Sequence, residues 1–310
     1  MMATGCMERE RDDRLIKVAT FEADATPPIG SPLAYDPTER IDQPLTARGV
    51  VLIGDDGPIV LVAVDWIGIY NEPNNLWRKT LAEVAGTTPE RVTIHMLHQH
   101  DAPRADFTTA EILSEYGILQ GSSYDNLEFV EQTIKRTADA LREAIEHNLQ
   151  TITHVGTGTG VVDKIASTRR VLNRKGRVRL VRYTSGATNL EAREAPVGTI
   201  DPEVKLLTFW HEDKPVVALS YYATHPQSYY RTGAANPDFP GIARASRDDD
   251  TGVMHIHFTG AGGNVGAGKW NDGSPGMRPI LADRLAKGMD RAWEQTVRTA
   301  VNVDQLEWRV

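Results

Sequence analysis

The segment best equipped to do chemistry is Leu97-His98-Gln99-His100-Asp101-Ala102-Pro103. In extended chain, residues two apart share a face, so His98 and His100 present both imidazoles to one side before Pro103 turns the chain away. That spacing suits a metal ion, and it also fits two polar residues in a solvated loop. The pair follows an apolar run at residues 91–97, and Asp65 closes an earlier one at 59–65. Ligands of open α/β sheets gather outside the carboxyl ends of strands, so a carboxylate and two imidazoles converge if these runs are parallel neighbours. A further imidazole, in Ala223-Thr224-His225-Pro226, stands just past the apolar run 216–223 and ahead of Tyr229-Tyr230. Imidazole suits zinc or iron, and distant ligands at strand ends can meet on one ion; a lone His beside Pro equally fits a loop or a satisfied core position. Asn236-Pro237-Asp238-Phe239-Pro240-Gly241 then holds Asp238 in a Pro-braced loop, read either as a turn or as a carboxylate fixed near the site.

Phe258-Thr259-Gly260-Ala261-Gly262-Gly263-Asn264-Val265-Gly266-Ala267-Gly268-Lys269 contains the spacing of a phosphate-binding loop at 263–269. Trp270 occupies the place of the magnesium-binding hydroxyl, and Asn271-Asp272-Gly273-Ser274-Pro275-Gly276 breaks the helix that would face the phosphates. A nucleotide loop is therefore rejected. The glycines read instead as a place where backbone N–H groups approach a substrate or an oxyanion. Gly156, Gly158 and Gly160 alternate without a helix signal after them and read as strand or bend, while His255 and His257 alternate inside an apolar strand and read as packed structure.

The elements that must position these residues follow from periodicity. Residues 59–65 are apolar at successive positions, which predicts a strand buried on both faces. A helix over 73–86, ending at Gly86, and a strand over 91–97 complete a βαβ unit. Residues 125–147 carry apolar side chains near the helical period and predict a long helix covering one sheet face. Strands are predicted at 178–183, 204–210, 216–223 and 253–258, with Lys214-Pro215 as the turn between two of them. A closing helix over 279–297 and a strand over 301–310 end the chain, and no repeat of fixed period is visible. The expected fold class is α/β, a mixed β-sheet with helices packed on its faces, in one catalytic domain over 15–310 behind a flexible leader at 1–14.

Composition narrows the partners. The chain has 310 residues, 40% hydrophobic and 25% charged, enough for a sizeable core. Forty-two acidic against 34 basic residues leave a net charge of −8, and no basic stripe interleaved with aromatics marks a nucleic-acid partner. Cys6 is the single cysteine, so no internal disulfide forms. No run reaches membrane-spanning length and no apolar segment marks a signal peptide, so the expectation from the sequence as written is a cytoplasmic chain, or a secreted one if its true N-terminus differs.

Taken in order, these segments resemble the neutral/alkaline non-lysosomal ceramidase family, specifically the N-terminal catalytic domain of its bacterial ceramidase-like members. The matching pieces are Phe21-Glu22-Ala23-Asp24-Ala25-Thr26-Pro27-Pro28-Ile29-Gly30, Leu45-Thr46-Ala47-Arg48-Gly49 leading to Asp65, and the segment around His98 and His100. Ser167-Thr168-Arg169-Arg170-Val171-Leu172, Thr224-His225-Pro226, Asp238-Phe239-Pro240-Gly241 and 260–266 complete a set covering residues 18–300. The resemblance implies a zinc-dependent hydrolase of an N-acyl amide bond in a small-molecule or lipid substrate, in which zinc activates water as the nucleophile and polarises the amide carbonyl. It implies His98 and His225 as zinc ligands and His100 as the group passing a proton to the leaving amine. Asp65 or Asp238 would orient a ligand or the water, and Asp101, Gly262, Gly263 and Asn264 would face the substrate. A Glu and a Tyr completing the family's zinc sphere would belong to sequence after Val310, which implies a chain truncated at its C-terminus. Asp101-Ala102 replaces the family's Ser-Gly, and Asn264 and Gly266 replace the Asp and Ser of its Gly-Asp-Val-Ser segment. Competing readings are a barrel-type metal-dependent amidohydrolase and a non-catalytic ceramidase-like protein with an incomplete metal site.

Overall fold

Residues alternating between apolar and polar, or apolar throughout, sort into two five-stranded mixed sheets in a computed structural model that describes residues 15–186 and 189–310. The expected leader at 1–14 lies outside the described residues. The first sheet comprises β1 (Ile16–Asp24), β2 (Thr46–Gly54), β3 (Gly57–Val64), β4 (Val92–Met96) and β5 (Gln150–Ile152), in the order β4-β3-β2-β1-β5. The second comprises β6 (His154–Val161), β7 (Glu203–His211), β8 (Lys214–Tyr222), β9 (Met254–Thr259) and β10 (Val297–Ala300), in the order β9-β8-β7-β6-β10. Six α-helices lie among the described residues: α1 (Asn71–Ala85), α2 (Phe107–Glu115), α3 (Leu127–His147), α4 (Leu190–Glu194), α5 (Asp238–Thr251) and α6 (Met277–Glu294).

The two sheets follow one path. In each, three antiparallel strands lead through a helix to a fourth strand parallel to the third, and a last strand returns antiparallel to the first. The repetition is in the path of the chain and not in its residues, which is why no period is visible in the sequence. It also explains the location of chemistry: β3 and β4 end beside each other, as do β8 and β9, giving two sets of parallel strand ends from which loops emerge.

Alternation along the strands divides the core into three sets. Ile16, Val18, Val50, Leu52, Ile59 and Ala63 of the first sheet meet Phe209, Val217, Leu219, Ile256 and Phe258 of the second. The opposite face of the first sheet packs Val51, Val60 and Val62 against Trp77 and Leu81 of α1 and Val130, Ile134 and Leu141 of α3. That of the second sheet packs Leu206, Ala218 and Tyr222 against Phe239 and Ala243 of α5 and Leu281, Leu285 and Met289 of α6. The result is four layers, helix–sheet–sheet–helix. The expected mixed sheet with helices on its faces is thus present twice, and the strand at 59–65 is buried on both faces because another sheet covers one of them. Two open stacked sheets exclude the barrel-type alternative, which needs successive βα units closing on themselves.

Several local expectations need correction. The reversal between β7 and β8 sits at Glu212-Asp213, where Glu212 adopts φ 52°, and His211 pairs with Lys214. Lys214-Pro215 therefore opens β8, with Pro215 opposite a register shift at Phe209/Trp210 that accommodates its missing N–H. The last helix stops at Glu294, and the terminal strand is Val297–Ala300 rather than 301–310, because it is there that the chain reaches the free edge of β6. A short 3₁₀ turn, Val303–Gln305, follows. Gly156, Gly158 and Gly160 lie in β6 and let α6 press onto it: a Cβ at Gly158 would overlap the Ala292 carbonyl, and one at Gly160 the Gly288 carbonyl.

His255 and His257 are buried, as expected of packed structure. His257 Nδ1 lies 2.8 Å from Ser220 Oγ, His255 Nε2 lies 3.1 Å from Thr251 Oγ1, and His95 Nε2 accepts from the Thr259 N–H at 2.9 Å. Burial pushes His95 down to about 4, and His255 and His257 down to about 3. The unfolded chain, titrating near 6.5, binds more protons below that pH than the folded one, so these groups favour folding fully above it and progressively less below. Each makes stability fall by about 1.4 kcal/mol per pH unit on acidification. Cooperative acid unfolding is accordingly expected between about pH 6.5 and 4, and a near-ultraviolet circular-dichroism signal unchanged down to pH 4 would contradict neutral burial of the three.

Candidate metal centre

Val64 and Met96 are the last paired residues of β3 and β4, and the two chains leave the sheet together. Leu97 N–H donates to the Val64 carbonyl and His98 N–H to that of Trp66, both at 2.9 Å, which ties the segment past the end of β4 to the chain leaving β3. Gln99 points inward, fully buried, its Nε2 donating to the Asp65 carbonyl. His98 and His100 point to the other side. His98 adopts φ 70°, a left-handed backbone uncommon for a residue with a Cβ. Its Nδ1 lies 2.6 Å from the Ile67 carbonyl, and a proton there leaves the Nε2 lone pair free.

His225 leaves the second sheet three residues after β8, its N–H bonded to the Val265 carbonyl at 2.9 Å. Its ring centroid is 4.9 Å from that of His98 and 5.0 Å from that of His100, and His98 and His100 are 5.4 Å apart. One nitrogen from each ring lies within 4.8 Å of the others, and the Nε2 atoms of His100 and His225 are 2.9 Å apart. Burial first, then the neighbouring His225, His98, Arg104 and Arg169, pushes His100 down to about 3. Burial, then His98 and Arg169, pushes His225 down to about 4. Both rings are neutral near physiological pH, the form in which imidazole binds a cation. Three imidazoles from two strand ends are a donor set that fits a borderline-soft divalent ion such as zinc. Tyr35 completes this side, its hydroxyl 3.2 Å from His100 Nδ1 and its ring stacked on the imidazole at 5.6 Å.

The acidic residues singled out from the sequence are placed differently. Asp65 is fully buried, and its carboxylate accepts from Thr46 N–H at 2.8 Å, Thr46 Oγ1 at 2.9 Å and Arg244 Nη1 at 2.7 Å, with Arg244 Nη2 closing a two-pronged ion pair. It faces α5 rather than the imidazoles, and only its carbonyl, through Gln99, reaches toward the His segment. Asp101 accepts from Arg231 N–H at 3.0 Å, Thr232 Oγ1 at 3.1 Å and Arg278 Nη2 at 2.8 Å. Asp238 accepts from Ser228 Oγ at 2.9 Å and Phe239 N–H at 2.6 Å, and lies 3.4 Å from the same Arg278. Burial pushes both carboxyls up while Arg278 pulls them down. One guanidinium on α6 thus ties the loop after His100 to the loop after His225. Neither Asp belongs to the three-nitrogen group.

The glycine loop serves the same placement. A Cβ on Gly262 would lie 2.8 Å from the Thr224 carbonyl carbon and 2.9 Å from the His225 nitrogen, so only glycine lets this loop press on the chain carrying His225. Gly263 is exposed with open space around it, and Asn264 has a buried Oδ1 without a partner. At Gly266 an added Cβ would stand 3.7 Å from the His225 Cβ, ordinary contact, so a side chain fits where the resembled family has Ser. Lys269 has a task unrelated to phosphates: its Nζ donates to the carbonyls of Arg193, Glu194 and Ala195 at 3.1, 3.2 and 2.7 Å, closing the end of α4.

Sequence reasoning missed Arg244, Arg278 and Tyr35. The first two sit on helical faces that also carry apolar residues, and an Arg within an otherwise buried stripe is the signal that marks them. Tyr35 lies in a loop whose approach to His100 no local pattern encodes.

Two solved structures share this fold. One is the neutral ceramidase from Pseudomonas aeruginosa, with a TM-score of 0.65 and 18% identity over 92% of this chain and 45% of that one. The other is a ceramidase complexed with C2, with a TM-score of 0.63 and 16% identity over 91% of this chain and 44% of that one. No family model matches the sequence, and no curated protein does. The fold is ceramidase-like, and the chain spans less than half the length of either structure.

Proposed function

We propose, on the premise of a ceramidase-like fold, that this chain hydrolyses the amide bond of an N-acyl substrate with a zinc ion held by His98, His225 and His100. The observation that carries the reading is the convergence of three imidazoles from two sets of parallel strand ends. Zinc, when bound, supplies a Lewis acid for the carbonyl and lowers the pKa of water to about 7. His98 is pre-oriented by the Ile67 carbonyl and His100 by Tyr35. The acid/base role expected for His100 and a ligand role both use its Nε2. That atom lies 2.9 Å from His225 Nε2, a separation at which the metal-free rings can share an N–H···N hydrogen bond and at which, with that proton lost, both lone pairs can turn to one cation; the ligand role for His100 rests on this proximity. Gly263, exposed, leaves backbone approachable beside His225, and Asn264 offers an amide there. Asp101 and Asp238 set the two loops through Arg278 and do not touch substrate, and Asp65 holds Gln99 in place between the two histidines.

The substrate class is an N-acyl amide of small-molecule or lipid kind. Among the described residues no helix is long and apolar enough to cross a membrane. Hydrolysis of a fluorogenic N-acyl amide should be abolished by a chelator and restored by stoichiometric zinc. Zinc bound at the three histidines with no turnover of short- or long-chain amides would favour the non-catalytic reading instead.

A further inference from the structure

Three guanidinium groups surround the His cluster, and among the described residues none of them forms an ion pair with a carboxylate. Arg169 leaves the chain where its N–H bonds the Asn264 carbonyl at 2.7 Å, and its Nη1 lies 3.5 Å from the Gly263 carbonyl, on the glycine loop beside His225. Arg104 and Arg231 lie over the Tyr35 ring at 5.6 and 5.3 Å, and Tyr35 is stacked on His100. Arg231 also lies 5.7 Å from the ring of Tyr230, which stands edge-on to His100. Arg104 keeps a buried Nε without a partner. Two acids of these loops are engaged with other groups: Asp101 with Arg278 and Thr232, and Asp36 with the Gly233 N–H.

A chain of net charge −8 thus gathers positive charge without carboxylate partners around the three histidines proposed for a dication. Like charges so placed repel one another and focus a positive field until an anion occupies the space between them. Arginine in particular offers a planar pair of donors matched to carboxylate or phosphate oxygens, and its flat face rests on aromatic rings.

We propose that Arg104, Arg169 and Arg231 form an anion subsite, and that the substrate is an N-acyl amide whose amine half carries a carboxylate or a phosphate. The proposal rests on the reading of the His cluster as an amide-hydrolysing centre. An apolar acyl group has no affinity for charged guanidinium groups, which assigns the anion to the amine half. Hydrolysis adds water across the bond: hydroxyl joins the acyl carbon, the C–N bond breaks, and the proton goes to the departing nitrogen, releasing a carboxylic acid and an anionic amino compound.

The test is binding, which does not require turnover. Calorimetry on the zinc-loaded chain compares N-octanoylglycine with neutral N-octanoylglycinamide, and N-octanoylethanolamine phosphate with N-octanoylethanolamine. The anionic member of at least one pair should bind on the order of tenfold or more tighter, the worth of one charge-assisted hydrogen bond, and which pair responds distinguishes carboxylate from phosphate. The preference should shrink in high salt and collapse in Arg169→Ala and Arg231→Gln, while Arg142→Ala on the outer face of α3 keeps it. Repeating the titration with chelator removes direct binding of the anion to zinc, and the preference should persist. Equal affinity within both pairs, absence of binding to all four, or a preference unchanged in both arginine variants overturns the anion subsite. Chelator-sensitive hydrolysis of neutral amides would then leave the proposed function standing, whereas an arginine-dependent preference without any hydrolysis would sink that function and keep the subsite.

Discussion

Zinc should raise the melting temperature of the wild-type chain by on the order of 8 °C and leave that of His98→Asn unchanged. A ligand present at a thousand times its dissociation constant stabilises by about 4 kcal/mol, and each kcal/mol is worth about 2–4 °C in a chain of a few hundred residues. Asn is the better probe than Ala at this position because it tolerates the φ of 70° that His98 adopts, so a lost zinc response is not confused with backbone strain. Activity should fall with it by on the order of 10³ or more, since several kcal/mol of carbonyl polarisation disappear. His100→Ala should likewise lose most of the zinc. If it keeps its zinc while hydrolysis drops by about 10² to 10⁴, His100 is the acid/base group instead.

The second large effect concerns Arg244→Met. Asp65 and Arg244 are both buried, and removing the guanidinium leaves a carboxylate with only Thr46 for company. Breaking one side of such a pair costs about 3–5 kcal/mol, while replacing both partners with apolar residues is often near neutral. Urea unfolding should therefore show a lower midpoint at unchanged slope for Arg244→Met, with much of the loss recovered in the double variant Arg244→Met/Asp65→Leu. The double variant should still bind zinc, because Asp65 serves Gln99 through its backbone carbonyl, which the substitution retains. A loss below about 1 kcal/mol in the single variant would mean that the pair is not dry.

What could be read in advance was whatever depends on local period. His98 and His100 do share a site, but not by strand alternation: His98 turns to φ 70° past the end of β4, while Gln99 points inward and two backbone hydrogen bonds hold the segment to the chain leaving β3. The βαβ unit and the two long helices α3 and α6 were legible in their apolar spacing. Pairing between strands far apart in sequence was not. Nothing in residues 150–161 says that β5 closes the first sheet and β6 sits inside the second, so two sheets looked like one. The direction of a side chain at a strand end was equally hidden: Asp65 turns toward α5 because Arg244 waits there, 179 residues later. The glycines at 156, 158 and 160 meant close helix packing, a purpose visible only once α6 lies on them. His225 needed the second sheet to bring it to the first, and the fold supplies that by ending β8 and β9 on the same side as β3 and β4.

Anomalous diffraction at the zinc absorption edge, from crystals of the zinc-loaded chain, tests the central claim most directly. The account predicts one peak about 2.0–2.1 Å from the Nε2 atoms of His98, His100 and His225. Zinc at another site, or none after loading, would contradict it.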